Sequence, residues 1–170
     1  MKSFALFIFG CLLTLHSPAQ QGNSSIYQLY YLKARSNPEI AAFYQYCKQQ
    51  NTNTPLVKSY LGTATAMYAS CAENVIDKLS YFNQGTALLD EAVNQEPFNP
   101  EIRFLRLSVQ EKSPRMLNYN NYIEQDASVI LDAFRKKKIQ KTHAFWEIAL
   151  NFILSAEQVS ASTKAQFKGI

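Results

Sequence analysis

Three times in this chain a capping side chain stands directly before proline: Asn37-Pro38, Thr54-Pro55 and Asn99-Pro100. The Asn or Thr oxygen can accept from the free backbone N–H groups of a first helical turn. Proline loses nothing at that position, because its missing N–H would have no partner there. Three such starts commit much of the chain to helix. Apolar residues recur at i, i+3, i+4 and i+7 in seven segments, about 25–35, 38–50, 55–73, 75–96, 100–111, 121–137 and 142–158. Alternating β-branched runs are missing. The expected fold is therefore all-α: an irregular antiparallel stack of about seven helices, in which short connections make successive helices neighbours.

The segment at 100–111 has a further constraint. At 100° per residue, Ile102, Leu105 and Val109 cluster on one side, while Phe104 and Leu107 point roughly the other way. A helix that is apolar on two sides is packed on both, so this one is expected inside the stack, between the fourth helix and a later one. Between its apolar faces run Arg103, Arg106 and Gln110. Such a stripe either reaches solvent or is paired inside. In the first case Arg103, Arg106, Gln110, Arg115 and Tyr119 line a groove that grips carboxylates of a peptide or small anion. In the second, Arg103 or Arg106 ties the helix to an acid such as Glu91 or Glu124, since half-buried arginine needs its donors satisfied. The structural role is the expected one. Tyr119 and Tyr122 fit equally as pocket aromatics or as residues pinning the loop.

The first nineteen residues read as a secretory signal peptide rather than folded protein. Lys2 precedes an apolar run from Phe4 to Leu15, and Ser17-Pro18-Ala19 supplies a small-residue cleavage site. The run is shorter than the ~20 residues a membrane span needs. Cleavage after Ala19 leaves a single α-helical domain at 20–170, exported to the periplasm or outside the cell. A lipid anchor at Cys11 is disfavoured by bulky Phe9 and by the short apolar stretch before it. Lys2 is the one charged residue of the leader, so the formal charge of +4 falls by one. That mild excess does not call for nucleic acid, and no second long apolar run provides an integral membrane segment after cleavage.

Export permits a disulfide between Cys47 and Cys71. If the second and third helices form an antiparallel hairpin, however, the two thiols lie at opposite ends, ~20 Å apart by the helical rise of ~1.5 Å per residue. A bridge tolerates at most ~7 Å between α-carbons. Two free, mostly buried thiols are expected.

The stretch LLDEAVNQEPFNPEI resembles the end of one tetratricopeptide repeat and the start of the next: Ala92 and Pro97 stand five apart, and Asn99-Pro100-Glu101 follows as a first helix would begin. Leu61-Gly62 matches the leucine-glycine pair of the repeat's first helix. Gly62 to Ala92 is eleven residues longer than the repeat allows, and the unit after Pro100 lacks the pattern, so the resemblance covers about a third of the chain. The whole chain, in YFNQGTALLDEAV and NPEIRFLRLSVQEKSPRMLNYN above all, is also similar to a family of uncharacterised secreted proteins from Bacteroidota. That resemblance implies no activity and no functional residue.

Most catalytic arrangements fail by inventory. Beyond the leader the single histidine is His143, and no His-Glu-x-x-His or Cys-x-x-Cys spacing exists. No Gly-x-Ser-x-Gly elbow or phosphate-cradling glycine loop exists either. His143 with Glu147 reads as a helix-surface pair. Arg135 to Lys138 with Lys141 read as cations at a helix C-terminus. The acid pairs Glu73/Asp77, Asp90/Glu91 and Glu124/Asp126 read as solvated faces. No cofactor, metal site or catalytic residue is assigned. The leading expectation is a non-catalytic binding or assembly module for a protein or peptide partner in the cell envelope, because stacked helix pairs present extended binding surfaces. The alternative is a small-ligand carrier or enzyme with a pocket near Arg103, Arg106 and the 113–119 loop.

Overall fold

A computed structural model describes residues 19–170, with side chains from residue 26 onward. The expected leader lies outside the described residues except for Ala19, where the first helix begins. Eight α-helices follow one another among the described residues: α1 (Ala19–Lys33), α2 (Asn37–Lys48), α3 (Pro55–Tyr68), α4 (Val75–Gln95), α5 (Pro100–Lys112), α6 (Ile123–Arg135), α7 (Ala144–Ser155) and α8 (Ala161–Lys168). Short 3-10 turns follow α3 at Ala69–Cys71 and α5 at Arg115–Leu117. No strand occurs among the described residues.

Two of the three proline starts cap as expected. Thr54 Oγ1 accepts from Val57 N at 3.3 Å, and Asn99 Oδ1 accepts from Glu101 N and Ile102 N at 3.0 and 3.3 Å. At α2 the cap sits one residue earlier, on Ser36. There the Glu39 carboxylate accepts from the main-chain N–H groups of Arg35 and Ser36 and from the Ser36 hydroxyl. A Glu three residues past a Ser outcompetes Asn37, because it satisfies two orphan donors at once.

The α3–α4 pair runs antiparallel: Lys58 meets Glu91, Gly62 meets Gly85 and Tyr68 meets Tyr81. Their backbones approach until no side chain fits between them. A Cβ on Gly85 would lie 2.4 Å from Ala66 N and 2.5 Å from Gly62 O. The α2–α3 pair is antiparallel too, with Tyr44 stacked on Tyr68 and the Cys71 thiol 3.5 Å from the Asn37 carbonyl. Cys47 and Cys71 are both free. Cys47 is buried, and burial pushes its thiol pKa up to about 12. Cys71 is only partly covered, so the expectation of two mostly buried thiols holds for one of them.

α5 is the central rod. Every residue from Ile102 to Gln110 is buried. One side rests on the α3–α4 pair, another on α6. Phe104 meets the rings of Tyr31 from α1 and of Phe145, Trp146 and Phe152 from α7, with centroids 5.4–6.3 Å apart. Ile102, Leu105 and Leu107 are fully buried, and each contributes about 1.5–3 kcal/mol by leaving water. The eighth helix was not expected. Ser160 caps it by accepting from Thr163 N at 3.2 Å, and Phe167 is its single buried residue, packed edge-on against Phe134.

Candidate functional site

The polar stripe of α5 turns inward onto one carboxylate. Asp126, in the first turn of α6, is fully buried. Its Oδ1 accepts from Arg103 Nη1 and Arg106 Nη2, both at 2.7 Å. Its Oδ2 accepts from Arg106 Nε at 2.9 Å and Gln110 Nε2 at 2.8 Å. A carboxylate offers about four lone-pair sites, and all are taken. Most of the other donors and acceptors are engaged as well. Arg103 Nε donates to the Pro97 carbonyl at 2.8 Å, Arg106 Nη1 to Asp90 Oδ1 at 3.1 Å, and Tyr122 N to Gln110 Oε1 at 2.9 Å. The Arg106 guanidinium also lies over the Tyr122 ring, 4.7 Å from its centroid. Two arginines face two aspartates, so the cluster is neutral overall.

Burial alone would lower the Arg106 pKa; the hydrogen bonds and charges of Asp126, with Asp90, outweigh it and hold the guanidinium above its ordinary value. Tyr119 donates to Asp90 Oδ1 at 3.1 Å, and burial followed by the Asp90 charge raises its phenol well above the usual range. A saturated, buried carboxylate has no lone pair left for a ligand. Arg103, Arg106 and Gln110 therefore lock α5 to α6 instead of lining a groove. The acids are Asp126 and Asp90, not Glu91 or Glu124. Asp126 is a buried counter-ion rather than part of a solvated face. Glu91 pairs with Lys58, and Glu124 accepts from Ser160 N at 2.7 Å and from the Thr163 hydroxyl. Arg115 is exposed on its 3-10 turn. Tyr119 is only partly buried, and Tyr122 is half-exposed.

A concave apolar surface lies on another side of α5. A cavity of about 560 Å³ opens between α3, α4, α5 and the 3-10 turn at Arg115–Leu117, with walls reaching α1, α2 and α7. Its deep wall is formed by Tyr31, Ala66, Phe82 and Val109, all buried. At the mouth stand Val75, Leu79 and Met116, which are 70%, 41% and 89% exposed. Ser113, Pro114, Met116 and Leu117 bring the 113–119 loop into the wall, whereas Arg103, Arg106, Gln110, Arg115 and Tyr119 do not line the cavity. Tyr119 reaches it only through Phe82, whose ring it meets edge-on at 5.7 Å.

The mouth could not be found from helical periodicity. One signal was present: Val75 and Ile76 put two β-branched apolar residues on the first exposed turn of α4, with Lys78 just beyond. His143 and Glu147 are both exposed at the start of α7. Among the described residues, no group of three or more His, Cys, Asp or Glu side chains is placed to hold a metal, and no helix is long and apolar enough to cross a membrane. The chain matches no family model, no curated protein and no solved structure.

Proposed function

We propose that this protein is an exported, non-catalytic carrier or binding module that takes an apolar small molecule into the cavity beside α5. One observation carries the reading: an apolar cavity of about 560 Å³ that reaches the buried face of the central helix. That volume falls within the ~300–1,000 Å³ of small-molecule sites. The sequence-based alternative, a ligand pocket at the 113–119 loop, thereby comes forward, without Arg103 and Arg106 as its walls. The tetratricopeptide-like reading of the middle of the chain is part of the proposal. It is supported by α5 packing against both members of the α3–α4 hairpin.

A protein or peptide partner in the cell envelope is the second reading. It is favoured by Val75, Ile76 and Met116, which stand 70–89% exposed at or beside the mouth. Isolated exposed apolar residues need no explanation, but a contiguous set around a cavity does.

The test is fluorescence of the neutral probe N-phenyl-1-naphthylamine with the purified protein. The wild type should enhance and blue-shift its emission. Leu79→Glu places a charge at the apolar mouth, on a residue exposed enough to leave the core intact, and should abolish most of the enhancement while the helical circular dichroism is unchanged. No enhancement by the wild type, or full enhancement by the variant, would refute the carrier reading.

A further inference from the structure

We propose that the occupant of this cavity is a single-chain fatty carboxylate, its tail against the deep wall and its headgroup among Arg35, Lys78 and Lys112. The inference rests on the ligand-site reading above and adds the chemistry of the ligand.

Charge complementarity carries it. Arg35, Lys78 and Lys112 line the cavity, and no acidic residue does. All three are exposed, and none forms an ion pair with a described residue. Glu39, the acid within electrostatic reach of Arg35, has its carboxylate engaged at the start of α2. The Lys112 ammonium lies 5.6 Å from the centroid of Phe152, itself a wall residue. Two of these cations have a local reason to be where they are. Arg35 and Lys112 follow or end α1 and α5, where a helix C-terminus favours positive charge. Lys78 has no such reason. It stands four residues past the Asn74 cap of α4, close to the positive end of that helix. The same turn exposes Val75 and Ile76. A turn that breaks both the electrostatic and the burial rule, beside a cavity, is where function rather than stability is expected to set the sequence.

The uncharged polar groups exclude other ligand classes. The cavity's three serines, Ser70, Ser108 and Ser113, each donate to a main-chain carbonyl nearby, those of Met67, Leu105 and Val109. Away from the three cations, a sugar or nucleoside would lay many polar atoms against a wall whose serine hydroxyls are already committed, at a cost for each group left unpaired. A hydrocarbon chain with one anionic end meets both halves of the surface. The volume suits one acyl chain rather than the two of a phospholipid.

Isothermal titration calorimetry with three ligands of equal chain length tests this: decanoate, 1-decanol and decyltrimethylammonium, each below its aggregation concentration. Decanoate should bind about tenfold tighter than decanol, the sum of three exposed charge contacts, and decyltrimethylammonium most weakly. Dodecanoate, two methylenes longer, should bind about fifteenfold tighter than decanoate. Added salt should weaken the carboxylates and leave decanol unchanged. The Arg35→Gln/Lys78→Gln/Lys112→Gln variant, changed only at exposed positions, should bring decanoate down to decanol and leave decanol binding as it was. Equal binding of decanoate and decanol by the wild type would overturn the carboxylate inference and leave the apolar site standing. Tightest binding of decyltrimethylammonium would overturn it as well. Failure of all the ligands to bind would remove both readings together.

Discussion

Replacing Asp126 with alanine should cost this protein about a fifth of its stability or more. The carboxylate is fully buried and saturated, and it is the common partner of Arg103 and Arg106, which are 5% and 4% exposed. Its removal strands Arg103 with a single carbonyl partner, leaves Gln110 Nε2 unpaired, and leaves Arg106 with the half-exposed Asp90 and the Tyr122 ring. Breaking a buried pair by deleting one member costs about 3–5 kcal/mol. Adding up the four lost hydrogen bonds separately would overshoot, because they share one acceptor group. Domain stabilities run to about 5–15 kcal/mol. The thermal midpoint should fall by about 6–20 °C, at roughly 2–4 °C per kcal/mol for a chain of this length. Urea unfolding followed by Trp146 reads the effect directly, since this single tryptophan sits in the core against Phe134 and Phe145.

Two controls sharpen the result. Asp126→Asn keeps the shape but turns an amide donor toward guanidinium and amide donors, so it should cost nearly as much. Replacing the three buried charges together, Arg103→Met/Arg106→Met/Asp126→Leu, should recover most of that loss, because the desolvation penalty goes with the charges while Gln110 Nε2 stays unpaired. A loss under about 1 kcal/mol in Asp126→Ala would refute the reasoning, since a carboxylate that compensates two buried cations cannot be removed so cheaply.

Three further expectations can be checked independently. Gly85→Ala drives a Cβ into the backbone of α3 at 2.4–2.5 Å, so the α3–α4 pair must separate; equilibrium unfolding should show a loss of at least about 1–3 kcal/mol. Cys47, pushed up to about 12 by burial, stays a protonated thiol at neutral pH; mass spectrometry after brief native alkylation should find Cys71 labelled and Cys47 untouched until denaturant is added. Burial alone would raise the Glu124 pKa, but hydrogen bonds from Thr163 and Ser160 prevail and hold it below the usual glutamate range. A lowered folded pKa means that its stabilising effect is fully present above the unfolded value of ~4.3 and fades as pH drops through the folded one. Amide protection factors at the start of α8, corrected for the intrinsic exchange rate, should therefore fall selectively in acid, and in Glu124→Gln at neutral pH.

Local signals were legible in the sequence, and long-range ones were not. Thr54 and Asn99 cap helices as their place before proline implies, and the two apolar faces of 100–111 correspond to a rod buried over nine consecutive residues. The stripe of Arg103, Arg106 and Gln110 was visible as a problem needing partners. Its solution was not visible, because Asp126 lies 16–23 residues away and only the α5–α6 packing brings it there. Glu124, two residues earlier on α6, is turned out to the α8 cap by the rotation of about 200° that separates it from the inward Asp126. α8 was missed because a short helix held by one buried phenylalanine has no periodicity to detect. The cavity is not legible because its walls come from six helices, two 3-10 turns and the loops beside them, three of the helices contributing one residue each. Gly62 stands in the sequence as half of a leucine-glycine pair, while its contact with Gly85 comes from the register of two helices.

The sides of α5 divide their roles: an inward arginine cluster holds the fold, and the apolar cavity on another side is the proposed binding site. Two-dimensional ¹H–¹⁵N NMR of the protein titrated with decanoate, including the arginine Nε–H signals, tests both halves at once. The account predicts shifts at Phe82, Val109, Lys112 and Leu117, with the Nε–H signals of Arg103 and Arg106 unmoved. Shifts concentrated at Arg103, Arg106 and Asp126, with the cavity residues unaffected, would contradict it.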